Sequence, residues 1–481
     1  MTSTAPRRGV TTVPPTPPSR HRAHETALTP GDSALTPGDS ARYDARFASR
    51  AAGIVSSVMR DLMSLSERPD IISLAGGFPN TEAFEREIYD EVVEVIAREH
   101  LASTLQYGPT EGMAELRERI VDVMAHEGAR ARVEDIMVTS GGQQAIDLAI
   151  RTFVNPGDTV LAEGPTYPGA VPCFTTYEAQ VVHVPMDDDG LRIDLVEEAL
   201  DQLAAEGRPP KLLYTIPSFQ NPGGVTMSLE RRERLVALVE DNPYGQIRFD
   251  GDPLPTLWEL DDGAGWVVYL STFSKILAPG LRTGWVAAPA AVLRKMNLGK
   301  QAADLCSSTG SQRFIVEYLR RHDWRDYVAR LNGIYRLRRD AMLRALEEEM
   351  PPEARWTRPS GGLFVWATLP DYLDTTDLLA RALSHNVAFV PGRAAYLDGR
   401  GANAMRLNFS GVSDDDIRDG IRRIGEVVRE QVGLYGTLTG GGAAPAHPAS
   451  SSSEPPAPDP DLADVLHLPP RPQPDRRTDA R

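Results

Sequence analysis

The sequence predicts an α/β fold, with a large domain built on a mainly parallel sheet flanked by helices and a small α+β domain. Three observations carry this. Short apolar runs alternate with amphipathic helical patterns through the middle of the chain. The runs are continuously apolar, as strands covered on both faces are. After Asp304 the order changes to one long helical stretch, a group of strands and a closing helix. A chain of 481 residues can hold a large core and a smaller second unit. Its 41% hydrophobic and 25% charged residues are those of a soluble globular protein. A net charge of −16 argues against a nucleic-acid partner, because phosphates need clustered Lys and Arg. No apolar run approaches the roughly 20 residues of a membrane span. The basic start MTSTAPRRGV lacks the apolar centre of a secretory signal. Cys173 and Cys306 lie far apart without metal-ligand spacing, which points to a reduced, cytoplasmic setting and no disulfide framework.

Taken in order, residues 1–43 are rich in Pro, Thr, Ser and Ala and contain the tandem repeat ALTPGDS ALTPGDS. Residues 438–481 run into GGGAAPAHPASSSSEPPAPDPD. Neither stretch has enough apolar surface to offset its ordering entropy, so both are expected to be disordered tails. Residues 44–99 read as an N-terminal segment joining the small domain. In the large domain, 100–304, DIMVTS, DTVLAEG, QVVHVP, KLLYTIPS, WVVYLS and GWVAAP read as strands, and QQAIDLAIRTFV and RIDLVEEALDQLAAE as helices. In the small domain, 305–437, the helix YVARLNGIYRLRRDAMLRALEEEM precedes strands GGLFVWATL, VAFVPG and AMRLNFS. The helix DDDIRDGIRRIGEVVREQV closes the core.

Ligands of a parallel sheet collect beyond the carboxyl ends of its strands. After DIMVT comes SGGQQAID, with Gly142 and Gln143 at a helix start. This is either an anion site, since free N–H groups and the helix dipole favour phosphate, or a plain tight turn. After DTVLAEG comes Tyr167, which could stack on a flat ligand or simply pack. After KLLYTIPS comes Asn221 in FQNPGG, also a common turn opener. VEDNPYG supplies Asp241 and Tyr244, and a carboxylate at a buried strand end is costly without a cation or donor. Thr272, Ser274, Lys275 and Arg282 follow WVVYL. Singly each signal is modest. Together they describe one ligand. Its phosphate is served by the Gly142–Gln143 turn, Thr272, Ser274 and Arg282, and its flat ring stacks on Tyr167. Its basic nitrogen faces Asp241, its phenolic oxygen faces Asn221 and Tyr244, and its aldehyde meets Lys275. That ligand is pyridoxal 5′-phosphate. Lys275 would be the nucleophile and then the general base, helped by a pKa lowered through burial and nearby cations, and Asp241 would keep the ring nitrogen protonated.

At this point the chain resembles fold-type I pyridoxal-phosphate enzymes of the class I aminotransferase family, closest to the 2-aminoadipate/kynurenine aminotransferase branch. The resemblance spans about residues 45–435 and rests on LAGGFPN, LQYGPTEGMAELR, VTSGGQQAIDL, PSFQNP, EDNPYG, STFSKILAPGLRTGW, RPSGGLFVW, VAFVPG and MRLNFS in family order. It implies an aspartate aminotransferase-like fold and a homodimer with shared active sites. It also implies transfer of an amino group between an L-amino acid (aminoadipate-like, aromatic or aliphatic) and a 2-oxo acid such as 2-oxoglutarate. Tyr107 matches a tyrosine that reaches the cofactor phosphate of the other subunit. Arg406 matches the clamp on the substrate α-carboxylate, a bidentate task suited to a guanidinium. Gly77 matches a loop glycine near the substrate backbone. Arg60, on an amphipathic helix, matches an arginine that meets acidic substrate side chains; a solvated helix face is the alternative. Fold does not fix reaction, so a lyase, oxidase or decarboxylase on the same fold and a degenerate inactive homologue stand as alternatives.

Three features depart from the family pattern. Gly223 stands where threonine is usual, which would loosen the turn after Asn221. Arg393 in PGRAAY stands where a small residue is common near the site entrance and would alter substrate choice. The segment from Asn221 to Asp241 is shorter than in the family by roughly eight residues, and a parallel crossover needs about 10 to 12 residues including its helix. Residues 222–235 just suffice if VALVE is the next strand; a slipped strand would misplace Asp241.

Overall fold

At the centre of the computed structural model is an eight-stranded sheet, counted among the described residues, which are 46–48, 50–51, 62, 68–235 and 238–439. By its contacts the chain divides into Met1–Ala48 and Ser49–Arg481. The first contributes only a turn and a bend at 46–48. Every described strand and helix lies in the second. The expected tails, 1–43 and 438–481, fall outside the described residues apart from 438–439, the end of the last helix, Asp414–Thr439. Arg60 also lies outside them.

The sheet contains β2 (Ile136–Thr139), β3 (Thr159–Gly164), β4 (Gln180–Asp187), β5 (Gly190–Leu191), β6 (Leu212–Thr215), β7 (Leu238–Asp241), β8 (Val267–Thr272) and β9 (Gly284–Ala287). A short strand, β1 (Ile72–Ser73), precedes them. Their order is β2-β9-β8-β7-β6-β3-β4-β5. Strands β4, β3, β6, β7 and β8 run parallel. Strand β9 is antiparallel to both β8 and β2, so the sheet is mixed with a parallel centre. Alternate residues enter two cores. Val160, Tyr214 and Val268 face one; Leu161, Leu213 and Val267 face the other. This is why these runs read as continuously apolar. QVVHVP is the exception. β4 lies next to the edge, and only His183 and Val184 of its residues are buried. Its expected burial on both faces is therefore corrected.

The helix Gly142–Phe153 buries Ala145, Ile146, Leu148, Ala149 and Ile150 on its inner side, as a 3.6-residue period requires. It begins at the end of β2 and aims its N-terminus at the carboxyl ends of the parallel strands. The shortened crossover between β6 and β7 is a helix of six residues, Leu229–Arg234. β7 nevertheless keeps its register, with Tyr214 opposite Val239 and Asp241 opposite Leu270. Its described residues begin at Leu238, inside VALVE, whose first two residues lie outside the described ones, and Asp241 stays at its end.

A second sheet, of four antiparallel strands, has the order β10-β11-β14-β13, with β10 Arg355–Trp356, β11 Phe364–Thr368, β13 Val390–Pro391 and β14 Ala404–Asn408. The long helix Trp324–Glu349 and the closing helix pack together over it. β1 pairs in parallel with β12 (Val387–Ala388), with Ile72 opposite Val387 and Ser73 opposite Ala388. From there the chain runs on to Gly77.

Candidate active site

A cavity of about 520 Å³ opens at the carboxyl ends of β6, β7 and β8, a size suited to a small organic ligand. Every site residue expected from the sequence lines it except Tyr107, with Arg60 lying outside the described residues. Tyr107 is 78% exposed and stands away from the cavity.

The loop after β8 places the lysine. Lys275 Nζ donates to the carbonyl of Gly77 at 2.7 Å and lies 5.9 Å from the centre of the Tyr244 ring. Burial, then the charges of Arg406 and Arg282, bring its pKa down to about 8. Lys275 is one of four lysines in the chain. Ahead of it, the Thr272 hydroxyl lies 2.8 Å from that of Ser274, donates to the Thr283 carbonyl and accepts from the Ser274 N–H. Both hydroxyls are thereby fixed toward the helix N-terminus at Gly142.

The glycines here have geometric reasons. Gly141 has φ 78°, and a Cβ on it would sit 2.5 Å from Nη2 of Arg282. A Cβ on Gly284 would sit 2.8 Å from the Gly141 carbonyl carbon and 2.9 Å from the Gly142 nitrogen. The backbone thus leaves a hollow at the helix N-terminus, bounded by N–H groups, two hydroxyls and a guanidinium. Such a hollow is matched to a phosphate. The Gln143 side chain turns away, donating to the Gly169 carbonyl at 2.6 Å.

Across the cavity, Asn221 joins two residues. Its amide donates to the Tyr244 hydroxyl at 3.2 Å, and its Oδ1 accepts from Arg406 Nη1 at 3.1 Å. Arg406 is 1% exposed, donates to the Ala75 carbonyl at 2.6 Å and lies 4.4 Å over the Phe364 ring. Asp241 is buried and accepts from the Tyr214 hydroxyl at 2.5 Å. Burial pushes Asp241 up to about 7, against the lowering effect of that bond. Burial likewise holds Tyr167 up at about 12, so it stays a neutral phenol.

Two departures resolve differently from expectation. Gly223 does not slacken its turn, because its N–H donates to Oε1 of Gln220 at 2.6 Å, and Gln220 in turn donates to Glu163. Arg393 does not line the cavity. It pairs with Asp374 at 2.9 Å and donates to the Gly399 carbonyl, so it offers the ligand nothing directly.

The sequence profile of the aminotransferase class I and II family matches residues 69–424. The chain belongs to this family. Aromatic-amino-acid aminotransferase 1 of Thermococcus litoralis is 45% identical over 400 residues, covering 81% of this chain and 95% of that protein. The 2-aminoadipate transaminase of Thermus thermophilus is 38% identical over 398 residues, 81% of this chain and 98% of that one. The crystal structure of a kynurenine aminotransferase from Pyrococcus horikoshii, in complex with PMP, KYN and KYA, is similar with a TM-score of 0.77 at 42% identity, covering 81% of this chain and 98% of that chain.

As an aminotransferase of this family the protein uses pyridoxal 5′-phosphate, and its residues fit that group. The Gly141–Gly142 hollow suits the phosphate, the buried Asp241 carboxylate calls for a cationic partner, and an amine with a depressed pKa faces the same space. Two supporting residues escaped the reading of the sequence. Tyr214 lay inside the run KLLYTIPS, although a tyrosine in a strand covered on both faces needs a partner for its hydroxyl. Glu163, in DTVLAEG, is 1% exposed and accepts from the Thr215 hydroxyl, the Ile216 N–H at 3.0 Å and Gln220 Nε2 at 2.8 Å. A carboxylate inside a buried strand was the signal in that case.

Proposed function

We propose that this aminotransferase moves the amino group of an L-amino acid with an aromatic, aliphatic or aminoadipate-like side chain to a 2-oxo acid such as 2-oxoglutarate. The observation that carries this reading is the convergence of Lys275, Asp241 and Arg406 on one cavity. The walls that Phe78, Pro79 and Phe364 give the cavity favour an apolar or aromatic side chain.

Pyridoxal phosphate, when bound, supplies an aldehyde that takes up the amino group and a ring that accepts electrons from the substrate Cα. Lys275 supplies the amine that holds it and, once released, the base that moves a proton at Cα. A pKa near 8 keeps a useful share of that amine neutral. Asp241 holds a proton at the ring nitrogen. Asn221 and Tyr244 would offer donors to the ring oxygen, and Tyr167 would offer an aromatic face to the ring. Gly142, Gln143, Thr272, Ser274 and Arg282 hold the phosphate. Arg406 clamps the substrate α-carboxylate with Asn221 beside it, and Gly77 borders the substrate. Arg60 is assigned to an acidic substrate side chain.

The active form is a homodimer, in which Tyr107 completes the phosphate site of the partner copy; its exposure away from its own cavity supports this. The cytoplasm is the proposed location. Both cysteines are free, and no helix among the described residues is long and apolar enough to cross a membrane. The test is to supply candidate amino acids with and without 2-oxoglutarate. A 2-oxo acid product that forms in step with glutamate, and only with the acceptor present, is expected. Release of CO₂ or consumption of O₂ would contradict transamination.

A further inference from the structure

Tyr214 does not line the cavity, yet it is joined to the one carboxylate at its base. It is fully buried, and its ring packs edge-on to Phe174, with centroids 5.8 Å apart and planes at 78°. The contact with Asp241 is made by strand register. Tyr214 sits on β6 opposite Val239 of β7, so Asp241, two residues further on, projects from the same face of the sheet. A tyrosine is long enough to reach that diagonal neighbour. Both groups project from strands of the sheet, not from loops.

We propose that Tyr214 is a positioning residue for the cofactor, its hydroxyl fixing Oδ2 of Asp241 so that Oδ1 is presented to the basic nitrogen of the cofactor ring. This rests on the aminotransferase reading above. A phenol donates more strongly to an ionised carboxylate than to a neutral one, so the bond also favours the charged form that a protonated ring nitrogen requires. It opposes the burial that otherwise pushes Asp241 toward neutrality. Asp241 is thus supported from behind, by a group that never touches the ligand.

The test uses the apoprotein and two ligands, pyridoxal 5′-phosphate and its 1-deaza analogue, in which C–H replaces the ring nitrogen. Tyr214→Phe is expected to weaken binding of pyridoxal phosphate by about 10- to 100-fold, the usual loss for a bond to a charged group. It is expected to leave binding of the deaza analogue unchanged. In an Asp241→Asn background the same substitution should cost nothing further, because the coupled partner is gone. An equal loss for both ligands would make Tyr214 a packing residue only and overturn the proposal, as would no loss for either. Wild type that takes up neither ligand overturns the aminotransferase reading and this inference with it. Wild type that binds while Tyr214→Phe matches it overturns this inference alone. Should Tyr214→Phe fail to fold, difluorotyrosine placed at 214 keeps the shape and changes only the donor strength. The resonance of ¹⁵N-labelled cofactor nitrogen should then move, and an unmoved resonance overturns the proposal.

Discussion

Asp241 illustrates how a single residue is made ready for function at a cost to folding. In the folded apoprotein it titrates near 7, against about 3.9 in an unfolded chain. Between those values the folded state keeps a proton that the unfolded state releases. Stability therefore falls as pH rises through this window, by up to about 1.4 kcal/mol per unit, and levels off above it. Asp241→Asn apoprotein should be more stable than wild type at pH 8, with the gap closing toward pH 4; urea melts at several pH values check this, and a gap independent of pH would contradict it. Arg406→Lys tests the other side of the cavity. A lysine cannot reproduce the fork that holds both Asn221 and the Ala75 carbonyl, so KM for the amino acid should rise about 10- to 100-fold. At this scale the sequence was informative where chemistry follows directly on a strand end, as with Lys275, Thr272 and Asn221. It was silent on Tyr214 and Glu163, because period-2 patterning gives the face a side chain occupies but not which residue of a non-consecutive strand lies beside it.

Among the elements, the crossover between β6 and β7 departs most from expectation. Six helical residues do the work of a longer helix. Arg232 explains how. It is fully buried, and its guanidinium donates to the carbonyls of Met227, Pro255 and Pro217 and to the Ser218 hydroxyl, at 2.7 to 3.0 Å. One side chain thus ties the short helix to the end of β6 and to the segment before β8, while Met227, Leu235 and Leu257 fill the second core beneath. Arg232→Met should cost about 3 kcal/mol, because four acceptors, three of them in buried bonds, lose the guanidinium. A chemical denaturation midpoint unchanged from wild type would refute that. The parallel centre of the sheet was legible from its apolar runs. The antiparallel insertion of β9 was not, since GWVAAP carries the same pattern whichever way it runs. The fate of the shortened crossover was also illegible, because it is decided by tertiary bonds of an arginine that reads as an ordinary charge on a polar helix.

On the scale of the whole molecule, the two sheets bring residues from distant parts of the chain to one cavity. Gly77 comes from the N-terminal segment, Lys275 from the large sheet and Arg406 from the small one. In the proposed homodimer, Tyr107 would serve the site of a second copy. Mixing Lys275→Ala subunits with Tyr107→Ala subunits should restore about a quarter of wild-type activity, since half of the dimers formed at random carry one intact site. No recovery on mixing would contradict shared sites. The most direct test of the central claim is to load the wild-type protein with pyridoxal 5′-phosphate, reduce it with borohydride, digest it and find the modified peptide by mass spectrometry. The chain has only the lysines 211, 275, 295 and 300, so the result is unambiguous. The phosphopyridoxyl group is predicted on Lys275 alone; no label, or label on any of the other three, would contradict the account.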